Sequence, residues 1–160
     1  LAERILRNFV TSELDTALVI SSSGTNIVPV EMAEQFKARG IKVVALITSE
    51  HSAASESKRA DGKKLGDFAD LVLDSGAPAG DAMVKIKGLN EPVAPGSTIG
   101  GILLVNCIKA ELAKLLTEAG HPPTVLTAAC NVGPERAKEL FESAYDEHAR
   151  RLSVLYAFPA

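Results

Sequence analysis

The chain has no tryptophan, only 4% aromatic residues, two cysteines and three histidines. With so few aromatics the core must come from Val, Leu, Ile and Ala, the residues of buried parallel strands packed against helices. Cys107 and Cys130 are too few for a disulfide framework, and each stands in an apolar setting that predicts a small buried hydrophobe. No CxxC and no His/Cys spacing suggests a metal, so neither a metal nor another cofactor is expected. No apolar run approaches the roughly 20 residues of a membrane span. A net charge of −3 with no basic stripe argues against nucleic acid as a partner. Residues 1–4, LAER, are charged rather than signal-like, and a reducing cytoplasm is the expected location. No GxGxxG follows a strand and no P-loop lysine is present, which disfavours a nucleotide-binding domain. What remains, 160 residues that are 46% apolar, fits one globular domain.

Ser21-Ser22-Ser23-Gly24-Thr25-Asn26 stands out within it. It follows the apolar run Ala17-Leu18-Val19-Ile20 and precedes a helical pattern that starts near Ile27. A hydroxyl-rich turn between a buried strand and a helix is a place to hold an anion. The helix start offers unpaired N–H groups and the positive end of its dipole, and the hydroxyls add donors that rotate to suit phosphate oxygens. The same residue types also make ordinary caps and turns. Three serines followed by Gly-Thr-Asn exceed what one cap requires, which favours a phosphate cradle.

Around this turn the pattern alternates. Residues 1–10 read as a helix and 15–20 as a buried strand. A helix is predicted over 27–39, with Val28, Met32 and Phe36 toward the sheet and Gly40 ending it. Residues 41–47, IKVVALI, form the next strand, which runs out in Thr48-Ser49-Glu50-His51. A polar loop follows, with a short helix over 63–69 and a strand over 69–73. Residues 82–93 suit a small hairpin. Ser97 or Thr98 caps a long helix over 99–119, residues 124–128 form a fourth main strand, and Pro134 starts a last helix to about Leu155. Strand–helix alternation with apolar strands predicts an α/β fold with a parallel sheet and helices on both faces. Sites in such sheets lie beyond the carboxyl ends of the strands, which puts the serine turn and the Thr48–Ser49 turn on one rim.

The strings ISSSGTN at 20–26, ITS at 47–49 and ADLVLD at 69–74 together resemble the sugar isomerase (SIS) domain family. NIVPVEMA at 26–33, EHS at 50–52, DGKKL at 61–65 and GAPAGDA at 76–82 resemble one bacterial branch, the UPF0309 proteins, over most of the chain. The resemblance implies a three-layer, flavodoxin-like parallel sheet forming a single SIS domain over 1–160 that binds phosphorylated sugars. It assigns ligand binding to Ser21, Ser22, Ser23, Gly24, Thr25 and Asn26, with Thr48 and Ser49 on the next strand end. Asn26 replaces the threonine common in the wider family. The family pattern opens with helices and a strand ending in a glycine-rich loop, and this chain has no such loop before the serine turn. The expectation is that it is the carboxyl-terminal portion of a protein of about 240 residues. Homodimers or larger homo-oligomers are also implied.

Chemistry on such ligands is aldose–ketose isomerisation or elimination at an aminosugar phosphate, and both begin with a proton moved beside a carbonyl. Glu50 and His51 are the candidate catalytic pair nearest the rim, although a solvated loop also accounts for them. A non-catalytic phosphosugar sensor is the alternative function. His121 reads as a turn residue and His148, on a helix with Tyr145, as a partner-facing or capping residue. Lys58, Arg59, Lys63 and Lys64 are either a phosphate contact or a solvated face. Asp74 and Asp81 read as turn residues.

Overall fold

The computed structural model describes residues 1–156. Two compact units divide the chain, one of residues 1–7 and 11–107, the other of residues 8–10 and those from Ile108 onward. In the first, β1 (Thr16–Ile20), β2 (Lys42–Ile47) and β3 (Leu71–Asp74) form a parallel sheet in the order β1-β2-β3. Ala17 lies opposite Val43, Val19 opposite Ala45, and Leu46 opposite Leu73.

Side chains alternate across a strand, so Val43, Ala45 and Ile47 share one face of β2. They pack with Val30 and Ala33 of α2 (Ile27–Ala38) and with Leu65 and Phe68 of a 3₁₀ turn (Leu65–Phe68). Each large side chain buried there contributes about 1.5–3 kcal/mol. On the other face Leu46 is buried, and a Cβ on Gly101 would lie 3.9 Å from its Cδ2, so the first turns of α4 (Gly96–Glu118) approach from that side. The sheet is thus flanked by helices, the α/β arrangement that apolar strands impose. Leu18, Ile20 and Leu71 on that second face stay exposed. The remaining elements of the unit are α1 (Ala2–Leu6), α3 (Ser49–Ala54) and the antiparallel pair β4 (Ala82–Val84) and β5 (Val93–Pro95).

The second unit holds the end of α4, α5 (Ala129–Val132) and α6 (Pro134–Leu155), with Pro134 in the first turn of α6. Val10 N–H donates to the Leu155 carbonyl at 2.9 Å, and the Phe9 and Tyr156 rings lie 5.4 Å apart.

Several expectations are corrected. Residues 124–128 form no strand. Pro122 and Pro123 just before them donate no N–H, and a strand needs a ladder partner, which these residues lack among those described. The buried stripe of α2 is Val30 and Ala33, with the half-buried Phe36 packed against the same core as expected, while Val28 and Met32 are half-buried. Cys107 and Cys130 are exposed, because α4 buries only Gly96 and α5 buries no residue. Helix α1 ends at Leu6 rather than near Val10. Residues 49–54 form α3 instead of a plain strand end.

Candidate functional site

The serine turn is folded tightly onto its neighbours. Gly24 sits at φ +63°, and a Cβ there would lie 3.4 Å from Ile47 Cγ2 and Ser52 Oγ and 3.5 Å from Leu65 Cβ. Glycine is therefore favoured both by backbone conformation and by the close approach. The Ser21 amide donates to the Leu46 carbonyl at 3.0 Å and the Gly24 amide to the Ser21 carbonyl at 3.0 Å. The Thr48 amide donates to the Ser22 carbonyl at 2.9 Å and the Leu65 amide to the Gly24 carbonyl at 2.8 Å. Ser23 Oγ accepts from the Thr25 amide at 3.3 Å and lies 2.9 Å from Thr25 Oγ1.

These bonds occupy the amides of Ser21, Gly24 and Thr25. Among the described residues no acceptor meets the amides of Ser22, Ser23 and Asn26. Asn26 is the N-cap of α2, at φ −68° and ψ 133°, yet its side chain makes no capping bond, and the first turn of α2 contains no acidic residue. Ser21 Oγ is buried with no partner among the described residues. A buried hydroxyl left in that state costs about 1–3 kcal/mol.

A row of hydroxyls crosses the carboxyl ends of the three strands. Ser22 Oγ lies 3.2 Å from Thr48 Oγ1, which lies 2.6 Å from Ser75 Oγ, and Thr48 is fully buried. Ser75 was not among the candidates read from sequence. The signal for it was available, since it is the first residue after β3 and falls on the same rim as Ser22 and Thr48. A Cβ on Gly100 would lie 2.0 Å from the Ser75 carbonyl oxygen, so only glycine lets α4 approach the rim so closely.

Ser49, Glu50 and His51 begin α3, with Thr48 as its N-cap. Asp74 Oδ1 accepts the Gly76 amide at 3.0 Å and the Ser49 amide at 3.1 Å, and these bonds hold its carboxyl below the usual carboxylate range. Glu50 is exposed, and its Oε2 accepts the Ala79 amide at 3.4 Å. His51 Nδ1 accepts the Gly80 amide at 2.8 Å, so the neutral ring carries its proton on Nε2. Asp81 closes the same loop at φ +69°. Its carboxylate accepts the Ser97 hydroxyl at 2.6 Å and the Ser97 amide at 2.7 Å, which lowers its pKa. The start of α4 is therefore capped by Asp81 rather than by Ser97 or Thr98. Glu50 and His51 hold the 79–80 backbone, and their hydrogen bonds do not go to the serine turn.

The basic cluster divides. Lys58 Nζ donates to Asn26 Oδ1 at 2.7 Å. Arg59 pairs with Asp61 at 2.7 Å and Glu34 at 2.9 Å, holding the Asp61 carboxyl well below its ordinary range. Lys63 Nζ lies 5.2 Å from the centre of the Phe68 ring, and Lys64 Nζ donates to the Ser52 carbonyl. His121 and His148 lie in the second unit, around a cavity of about 660 Å³ shared with Leu116, Pro123, Glu147 and Arg151. Among the described residues no three His, Cys, Asp or Glu side chains gather as a metal site, and no helix is long and apolar enough to cross a membrane.

A model of the SIS domain matches residues 1–49, which include β1, the serine turn and β2. A UPF0309 protein of Listeria innocua is 33% identical over 142 residues, covering 88% of this chain and 56% of that protein. One of Halalkalibacterium halodurans is 37% identical over 131 residues, covering 81% of this chain and 53% of the relative. One of Geobacillus thermodenitrificans is 32% identical over 149 residues, covering 93% and 58% respectively. The chain spans about half the length of the curated relatives it matches.

Proposed function

Because the chain is a UPF0309-like SIS-domain protein, we propose that its serine turn binds the phosphate group of a phosphorylated sugar. The observation that carries this reading is the set of donors without protein partners. The amides of Ser22, Ser23 and Asn26 are open among the described residues, and the Ser21 hydroxyl is buried and unsatisfied. A phosphate at the start of α2 would satisfy the three open amides together. Ser22 and Ser75, the partly exposed ends of the row that passes through buried Thr48, lie on the same rim and suit sugar hydroxyls.

The reaction we propose is aldose–ketose isomerisation or elimination at an aminosugar phosphate. The exposed Glu50 carboxylate takes the proton beside the carbonyl, and the C–H electron pair forms an enediol whose oxygen accepts a hydrogen bond from His51 Nε2–H. Glu50 then returns the proton to the neighbouring carbon in isomerisation, or to a hydroxyl that leaves as water in elimination. A non-catalytic phosphosugar sensor is the second reading. It is favoured by the bonds that already commit Glu50 and His51 to the 79–80 backbone. Following the sugar by NMR separates the two, since a moved carbonyl or lost water means catalysis and saturable binding without turnover means sensing. Residues 1–160 then act as one phosphosugar-binding domain, working in the cytoplasm without a nucleic-acid or membrane partner. Exposed Ile99, Ile102 and Leu103 on α4 favour a homodimer or larger homo-oligomer.

Glucosamine-6-phosphate or N-acetylglucosamine-6-phosphate should raise the melting temperature, with a stabilisation of about 2.7 kcal/mol when the ligand is at a hundred times its Kd. The sugars without phosphate should do much less. The double change Ser21→Ala with Ser23→Ala should abolish the shift, and an undiminished shift in that variant rejects the cradle.

A further inference from the structure

We infer that Lys58 is a phosphate-binding residue of the serine turn, the one full positive charge that makes the site selective for a dianion. This rests on the phosphosugar reading of that turn. The Lys58 ammonium lies 2.7 Å from Asn26 Oδ1, at the last residue of the turn and the N-cap of α2. A cation at a helix N-terminus opposes the helix dipole, although Glu31, Glu34 and Asp61 line a cavity together with Lys58. No carboxylate pairs with Lys58 among the described residues, and no acid in the first turn of α2 offsets it. The unfavourable placement is resolved when an anion sits between the ammonium and the open amides of the turn, a turn whose Ser21 hydroxyl is buried without a partner among the described residues.

The chain around Lys58 is anchored rather than loose. Arg59 is held by Glu34 and Asp61 and stacks 5.4 Å over the Phe68 ring. Ser57 Oγ donates to the Lys63 carbonyl at 2.7 Å and accepts the Arg59 amide at 3.1 Å. Of the four basic residues in this stretch, Lys58 alone bonds to the serine turn. An ammonium has three N–H donors. One goes to Asn26, and two remain for phosphate oxygens.

The test is calorimetric titration of the full chain with glucosamine-6-phosphate at low and high salt, for wild type, Lys58→Gln, Lys58→Arg and the Ser21→Ala/Ser23→Ala pair. Lys58→Gln should weaken binding roughly tenfold or more and flatten its dependence on salt. Lys58→Arg should restore most of both. The unliganded melting temperature of Lys58→Gln should be unchanged or higher, since a cation has left a helix N-terminus. A lower unliganded melting temperature makes Lys58 a structural link and overturns the inference. Wild-type affinity and salt dependence in Lys58→Gln, with binding lost in the serine pair, remove Lys58 while leaving the cradle in place. No binding by the wild-type chain ends both.

Discussion

The turn after β1 leaves the amides of Ser22, Ser23 and Asn26 without acceptors among the described residues and the Ser21 hydroxyl buried without a partner, whereas the turn after β2 commits its side chains to the protein itself. There the Ser49 amide goes to Asp74, and the Glu50 and His51 side chains hold the backbone at 79–80. Both turns follow parallel strands and lead into helices, so topology puts both on the carboxyl rim of the sheet. The contrast teaches that position on the rim does not by itself make a binding turn. What separates the two is the side chains, since Ser21 Oγ after β1 has no partner among the described residues while Glu50 and His51 after β2 support a loop.

The two turns are joined by Thr48, whose buried hydroxyl lies between Ser22 and Ser75. Thr48→Val keeps the shape and removes that junction, leaving two hydroxyls without their partner. Unfolding in urea should show a loss of about 1–3 kcal/mol. A loss under roughly 0.5 kcal/mol, the scale of an ordinary surface change, means the turns are energetically independent. Gly24→Ala tests the first turn alone. An L-residue held at φ +63° should lower stability by about 1–2 kcal/mol, and the phosphosugar-induced melting shift should shrink with it. An alanine that leaves both unchanged removes the link between tight folding and open amides.

The smallest effect tests the second turn's loop. Ser97 donors hold the Asp81 carboxyl below its usual value. A depressed folded pKa contributes stability that is present above the ordinary value of about 3.9 and is lost as pH falls through the folded value. Wild type should therefore lose more stability than Asp81→Asn as the pH falls below about 4, by under about 1 kcal/mol for so accessible a group. Parallel pH profiles in the two proteins would falsify a contribution from this contact.

Much of the first unit was legible in the residue order. Near-continuous apolar runs mark β1 and β2, Gly40 ends α2 at φ +77°, and the hairpin falls where Gly and Pro frame an alternating stretch. The serine turn was legible because its composition exceeds what a cap needs. The fate of Thr48-Ser49-Glu50-His51 was not, because Asp74, about 25 residues further on, supplies the acceptor that seats the start of α3. The α2 stripe was only partly legible for a similar reason, since Phe36 packs on the core as expected but Val28 and Met32 are not its buried residues. Which side of an apolar helix is buried depends on where β2 and Leu65 stand, and Val30 with Ala33 meets them. The expected fourth strand shows the limit of an apolar pattern, since a strand exists only where its backbone finds a ladder partner.

Residue order alone determined that a hydroxyl-rich turn links an apolar strand to a helix, because apolar periodicity and turn chemistry are local properties of the chain, although β1 buries only Ala17. Only the tertiary structure decided which donors of that turn remain unbonded, that Ser75 joins Ser22 and Thr48 in one row, and that Lys58 ends beside Asn26. Those outcomes depend on hydrogen-bond partners brought from distant parts of the chain, and no local pattern encodes which partner arrives.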